Sequence, residues 1–277
     1  MGIQKVSSKW KKTKVLLKDK YIAPFNPETR KYSLTALEQM CQSYRTVYVK
    51  PEHGTHGKGI IRIEHSLLSA ATENTDEPNI KEVTKATYKL HYEKKKEQYH
   101  SISDLHKAIL KRTKGTSYLV QRGIPLLRYQ QRPFDLRVMT QRNLSGQWES
   151  TGIIGKVAAK GKIITNINGG GYIVPFEKLM KPYLTKPQTA NLKKELFVLG
   201  VRTAKCMEKT YPGIKEIGLD IALDDQVRPW ILEVNTSPGL YVFGYLPDKS
   251  IYRKIKKYAI AYGRLKPAAS KSKTLKK

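Results

Sequence analysis

Ile217-Gly-Leu-Asp220-Ile-Ala-Leu223-Asp-Asp-Gln-Val227-Arg-Pro-Trp230-Ile-Leu232-Glu233-Val-Asn235-Thr-Ser-Pro-Gly239 is the stretch on which the fold turns. Two apolar runs, Ile217 to Leu223 and Val227 to Asn235, flank Asp224-Asp225, which reads as the turn of a hairpin. Glu233 and Asn235 are two apart, so on a strand they share one face. Asp220 falls on the neighbouring strand. A solvated face explains poorly why an acid and an amide interrupt so apolar a strand. Two carboxylates and an amide oxygen converging across a hairpin suit a hard divalent cation such as magnesium.

A second signal lies upstream, in Tyr48-Val-Lys50-Pro-Glu-His-Gly54-Thr-His-Gly57-Lys58-Gly59-Ile60. The β-branched and aromatic run Thr46 to Lys50 reads as a strand stopped by Pro51, and Ile60 to Glu64 reads as its antiparallel neighbour. The strand delivers a lysine, and the glycines that follow let main-chain N–H groups approach a ligand without a Cβ in the way. A helix should follow the glycines in a Walker loop or a dinucleotide fingerprint, and here a strand follows. A glycine-rich hairpin without a ligand is the plainer alternative. His53 and His56 read as polar loop residues, since a metal pair would need further ligands nearby.

Around these signals helices alternate with strands. Leu34, Leu37, Cys41 and Tyr44 recur at helical spacing behind Ser33, a capping residue. Tyr88, Leu90 and Tyr92 alternate with polar residues in a half-buried strand that turns at Glu93 to Lys96. Ile102, Leu105 and Ile109 mark a helix ended by Gly115. Strands follow at Tyr118–Gln121, Phe134–Gln141 and Trp148–Val157, then a long helix faced by Leu192, Leu196, Leu199 and Cys206. Trp148 and Trp230 read as core residues. Helices mixed with mainly antiparallel strands in two halves indicate an α+β protein with a cleft between lobes. The expected division is a glycine-loop lobe over 1–117 and a metal lobe over 118–265. The Lys, Ser, Ala and Thr of 266–277 should form a disordered basic tail.

The 277 residues suffice for a substantial core. No apolar run approaches the roughly 20 residues of a membrane span. The amino terminus, with Lys5, Lys9, Lys11 and Lys12, lacks the apolar centre of a signal peptide. Cys41 and Cys206 are too few for a disulfide framework and read as reduced core thiols of a cytoplasmic protein. Lys and Arg number 52 against 23 Asp and Glu, a formal net charge of +29. Such an excess attracts polyanions, although solubilising lysines would give the same count. Lys94-Lys-Lys-Glu97 among Tyr88, Tyr92 and Tyr99 has the mixture of bases and aromatics seen on nucleic-acid surfaces. A solvated hairpin tip explains it more simply, so nucleic acid is not the expected partner.

In this order the two signals resemble the ATP-grasp superfamily, which includes D-alanine–D-alanine ligase and ribosomal-protein glutamate ligases. Val120-Gln-Arg-Gly-Ile124-Pro-Leu, Phe134-Asp-Leu-Arg137-Val, Gly146-Gln-Trp-Glu149 and Thr165-Asn-Ile-Asn-Gly-Gly-Gly171 are similar to the YheC/YheD proteins, described as endospore-coat-associated. The resemblance runs from about Lys9 to the last helix near Tyr262.

It implies an ATP-grasp fold and a set of roles. Lys50 would hold the α- and β-phosphates of ATP, with Lys9 as an earlier phosphate lysine. The backbone through Gly54, Gly57, Lys58 and Gly59 would close over the β- and γ-phosphates. Gln121, Arg122 and Ile124 would form the hinge that reads adenine, and Leu232 would pack beneath it. Asp220, Glu233 and Asn235 would hold Mg2+. Arg137, with Asn166, would face the transferred phosphoryl group or the substrate carboxylate. The implied reaction activates a carboxylate as an acyl phosphate, which an amine attacks to give an amide. The acceptor would be an acidic peptide or wall polymer, with spore-coat proteins as further partners. A structural coat protein that binds nucleotide or polyanion without turnover is the alternative.

Three departures accompany the resemblance. Leu126-Leu127-Arg128 stands where an acidic residue would hold the ribose, Lys156 and Gly169 replace arginines of the glutamate ligases, and the chain starts almost at the nucleotide-binding fold.

Overall fold

The computed structural model describes residues 2–54, 57–69, 84–162, 165 and 169–267. Its strands form two antiparallel sheets, each with its own core. The first sheet contains β1 (Thr29–Lys31), β2 (Thr46–Pro51), β3 (Ile61–Ser69), β4 (Thr84–Tyr92), β5 (Lys95–Tyr99) and β6 (Tyr118–Arg122) in the order β1-β6-β2-β3-β4-β5. Helices α2 (Leu34–Ser43) and α3 (Ile102–Thr113) cover it. Ser33 and Ser101 cap them by accepting from the N–H groups of Ala36 and Asp104. Their apolar faces, Leu37, Met40 and Cys41 with Leu105 and Ile109, meet Val47, Val49, Ile61, Ile63 and Leu90. Left-handed Lys114 and Gly115 end α3.

The second sheet contains β8 (Arg132–Arg142), β9 (Trp148–Val157), β10 (Tyr172–Pro175), β11 (Glu216–Leu223) and β12 (Pro229–Asn235) in the order β10-β9-β8-β11-β12; short β7 (Arg128–Tyr129) pairs with β8. On one face lie α4 (Phe176–Met180) and α5 (Lys186–Thr210), the latter started by a capping box between Thr185 and Gln188, and Ser150 Oγ donates to the Phe197 carbonyl of α5 at 2.8 Å. On the other lie a 3-10 turn (Tyr241–Tyr245) and α6 (Lys249–Ala261), where Phe243, Leu246, Ile255 and Ala259 pack on Met139 and Ile154. The period-two alternation of β8 therefore sends Leu136 and Val138 into the α5-side core. It leaves Asp135 and Arg137 on the open part of the opposite face.

Helix α1 (Lys9–Leu17), capped by Ser8, joins the second core through Leu16, and its Val15 carbonyl accepts from Cys206 Sγ at 3.6 Å. The segment before it is tied down across the molecule. Gln4 N–H donates to the Gly213 carbonyl at 2.9 Å, and Val6 N–H donates to Thr236 Oγ1 at 2.8 Å.

Several expectations are revised. Strand β6 pairs with β1 and β2, so the change of sheet comes after Arg122 rather than between 117 and 118, while α1 packs with the later half. The β11–β12 turn runs from Asp224 to Arg228, longer than Asp224-Asp225. Asp224 Oδ1 accepts from the N–H groups of Gln226 and Arg228, and Val227 is left-handed rather than the start of a strand. Both cysteines are free and buried, and Trp148 and Trp230 are buried as expected. Residues 268–277 of the expected tail lie outside the described residues. Among the described residues no helix is long and apolar enough to cross a membrane.

Candidate functional site

A cavity of about 430 Å³ opens between the two sheets. Lys9, Lys50, Gly54, Gly57 and Lys58 line it from one side, and Arg137, Asp220, Leu232, Glu233 and Asn235 from the other. Gln121, Arg122 and Ile124 line it where the chain passes between the sheets. Gly59 turns with φ +77° beside it, and a Cβ there would sit 2.9 Å from the Tyr118 hydroxyl. Thr165 also lines the cavity. Asn166 and His56 lie outside the described residues, and His53 is exposed beside Ser7. Apart from these, the sequence-derived site residues converge on one cleft.

Register explains how the ionic end is built. Asp220 on β11 stands opposite Arg137 of β8 on one side and Glu233 of β12 on the other, and Asp135 of β8 stands opposite Lys156 of β9. Arg137 Nε and Nη2 donate to the two Asp220 oxygens at 2.7 and 3.0 Å, a bidentate pair. Lys156 Nζ donates to Asp220 Oδ1 at 2.7 Å and lies 3.2 Å from Asp135 Oδ1, and Asn235 Nδ2 donates to Asp220 Oδ2 at 3.1 Å. Gly218 makes the pairing possible: a Cβ there would press on Arg137 Cδ at 3.0 Å and on Pro238 at 2.8 Å. Burial opposes ionisation of Asp220, but the Arg137 and Lys156 cations outweigh it and hold the carboxyl well below the usual aspartate range. Asp135 takes the opposite course. Burial pushes it up to about 6, against the pull of Lys156, and its Oδ1 makes no hydrogen bond of its own.

Three lysines face this group. Lys9 Nζ donates to the Gly54 carbonyl at 2.9 Å and lies 3.6 Å from Glu233 Oε1; Lys12 Nζ is 3.9 Å from the same oxygen. Lys50 Nζ donates to Gln121 Oε1 at 2.6 Å and crosses to the Leu232 carbonyl at 3.2 Å, joining the two sheets. Burial lowers the Lys50 ammonium to about 8 and lowers Lys12 as well. The glycine-rich loop is braced by Glu52, whose carboxylate accepts from the hydroxyls of Ser8 and Ser117.

The other end of the cleft is apolar. Ile124, Ala222 and Trp230 pack together with Leu126 and Leu232. The Arg122 guanidinium lies 5.1 Å from the Tyr44 ring and 4.8 Å from the Trp230 ring, and Arg228 stacks 4.6 Å from Trp230. After Ile124 the chain continues with buried Leu127, and Arg128 Nη1 donates to the Gln131 carbonyl.

Sequence reasoning did not identify Lys12, Asp135 or Arg264 as parts of this site, and it took Lys156 only as a replaced arginine. Asp135 sits in the quoted Phe134-Asp-Leu-Arg137 run and shares the Arg137 face by alternation, a signal that was available. Arg264 carries no comparable signal, because it follows α6 and reaches back to Ser237 Oγ at 2.6 Å.

Among known proteins, 27% of 244 aligned residues are identical to endospore coat-associated protein YheD of Bacillus subtilis (strain 168), covering 86% of this chain and 49% of that protein. Endospore coat-associated protein YheC of the same organism is 25% identical over 232 residues, covering 83% of this chain and 60% of that one. The chain thus spans about half to three-fifths of these relatives. Among solved structures, an ADP complex of N5-carboxyaminoimidazole ribonucleotide synthetase superposes with TM-score 0.48 at 12% identity over 91% of this chain and 51% of that one. The Thermotoga maritima synthetase of the same name gives 0.47 at 13% over 94% and 49%. A family model described as YheC/D like ATP-grasp matches residues 3–265, and the chain belongs to that family.

Proposed function

We propose that the cleft binds ATP with Mg2+ and transfers the γ-phosphoryl group to a carboxylate, and that an amine then attacks the acyl phosphate to form an amide. The observation that carries this reading is the composition of the cleft. Seven described lysines and arginines and three carboxylates line the cavity beside an apolar end. The excess of cations suits a triphosphate, and the apolar shelf of Ile124, Leu126 and Leu232 suits a flat base.

The donor set also fits a magnesium ion. Asp220, Glu233 and Asn235 occupy neighbouring positions on two paired strands, and the partners of the two carboxylates include cations that the phosphates would attract. Turning its side-chain amide presents Asn235 Oδ1 in place of Nδ2. When bound, the ion neutralises charge on the phosphate oxygens. Lys9, Lys50 and the loop through Gly54, Gly57 and Lys58 bind and orient the phosphates in this reading. Arg137 faces the transferred group, where two anions must be brought together, and closure of the sheets excludes water from the acyl phosphate. The twofold lobe division belongs to this proposal, with the hinge at Gln121 to Ile124.

The test is the melting temperature with and without ATP and magnesium, beside Glu233→Ala. At about 100 times its dissociation constant, a ligand adds roughly 2.7 kcal/mol of stability. The expected shift requires magnesium and disappears in the variant. No shift at millimolar ATP would sink the reading. A second reading, a coat-associated protein that binds nucleotide without turnover, is favoured by the complete pairing of Asp220 with Arg137 and Lys156. Release of ADP in the presence of an acceptor separates the two.

A further inference from the structure

We infer that the acceptor is an acidic polypeptide tract that reaches the cleft along the outer face of α6. The inference rests on the ligase reading, which places a carboxylate at the Arg137 end of the cleft.

The rim at that end is formed by Ser237 and Tyr241, continued outward by Tyr245. Tyr241 is 49% exposed and Tyr245 64% exposed, so the rim presents aromatic surface to solvent. The chain then enters α6, which is fastened to this rim at both ends. Lys249 Nζ donates to the Gly244 carbonyl at 2.6 Å, and Arg264, just past the helix, donates from Nη1 to Ser237 Oγ. Ile255 and Ala259 face inward. Lys249, Arg253 and Lys256 recur at spacings of four and three residues and are all exposed, so they form one stripe, with Lys257 beside it. No acidic residue occurs between Lys249 and Ala261. The stripe therefore lacks the alternating charges of a helix face stabilised by its own ion pairs. Lys254, on the flank, pairs with Glu149, Lys256 lies 5.0 Å from the centre of the Tyr252 ring, and Asp248 caps the start of the helix.

Arg264 connects this stripe to the interior. It lines the cavity, and buried Glu216 orients it through an ion pair at 3.3 Å. Near it, the Arg137 and Lys156 charges are already matched by Asp220 and Asp135. Arg264 is itself paired with Glu216, but it stands between the cavity and α6, where its guanidinium can meet an incoming carboxylate while the stripe holds the flanking acids of the same chain. A polypeptide rich in glutamate or aspartate supplies a carboxylate at both places. A nucleic acid supplies phosphates to the stripe but no carboxylate for the cleft.

The test uses the full chain and a fluorescein-labelled deca-glutamate peptide, with labelled single-stranded DNA of similar charge as comparison. Anisotropy should report peptide binding that weakens with salt. The triple variant Lys249→Glu, Arg253→Glu, Lys256→Glu should lose at least about tenfold in peptide affinity. Its melting shift with ATP and magnesium should equal that of the parent chain. Should the charge reversal misfold, the corresponding triple glutamine variant serves, with a smaller loss expected. Peptide affinity unchanged in the stripe variants, no peptide binding at low salt, or tighter binding of the DNA would each overturn the inference. Loss of the ATP shift in the parent chain would instead overturn the ligase reading, so the two failures are separately visible.

Discussion

The two ends of the cleft are stabilised by different physics. At the hinge end, Ile124, Leu232 and Trp230 bury apolar surface, and Arg122 stacks between Tyr44 and Trp230. The apolar contacts are short-ranged and insensitive to salt and pH, and the stacked guanidinium adds an electrostatic attraction to the rings. At the ionic end, Lys50 is buried and Arg137 and Lys156 are half-buried among Asp135, Asp220 and Glu233, and each charge is tolerated only because of the others. The hinge end is shaped to receive a ligand without needing one, whereas the ionic end stores unfavourable desolvation that a charged ligand can relieve. One cleft thereby joins an apolar end to a charged one.

The largest expected effect comes from breaking the ionic end. Asp220→Ala leaves the guanidinium of Arg137 and the ammonium of Lys156 without their shared partner and should cost about 3–5 kcal/mol, read by urea denaturation. A loss under about 1 kcal/mol would mean that water already solvates this end, and the contrast with the hinge would collapse.

Next comes a pH dependence. Lys50 is charged below about 8 in the folded chain, against 10.5 for the ordinary lysine, because burial disfavours its charged form. Between those values the unfolded chain binds the extra proton, so stability rises with pH across that window. The contribution should reach up to about 3 kcal/mol near pH 10.5. It should be missing from Lys50→Met, which isolates it from other groups titrating there. Equal slopes in the two proteins between pH 8 and 10.5 would refute it.

The smallest effect sharpens the other side. Arg122→Gln removes the guanidinium from between two rings and should cost about 1 kcal/mol. The magnesium requirement of the ATP shift should be unchanged, and a lost requirement would show that the two ends are not independent.

What could be read from the sequence follows from the same division. Local signals sufficed for the hairpin carrying Asp220, Glu233 and Asn235, for the lysine-then-glycines loop, and for the helices behind Ser33 and Ser101. Alternation and capping act over a few residues. The α+β class and the family resemblance followed from these pieces in order. The partners of the charges were not legible. Arg137 meets Asp220 across 83 positions, and Lys50 meets the Leu232 carbonyl across 182. Such pairings depend on sheet order, which no single strand encodes. Short β1, β7 and β10, of three, two and four residues, were too brief to carry a periodicity. The length of the 224–228 turn depended on the side chain of Asp224, which was read only as a turn former.

The anchoring of residues 4 to 8 has a consequence for biosynthesis. Gln4 and Val6 find their partners at Gly213 and Thr236, and Ser8 finds Glu52. Gln4 and Val6 therefore settle only once Gly213 and Thr236, 209 and 230 positions further along, have been made. Until then the glycine loop lacks its brace at Ser8, and α1 leaves Leu16 uncovered. The cleft is thus completed in one late step, when the β11–β12 hairpin and the residues that flank it close on residues 4 to 8.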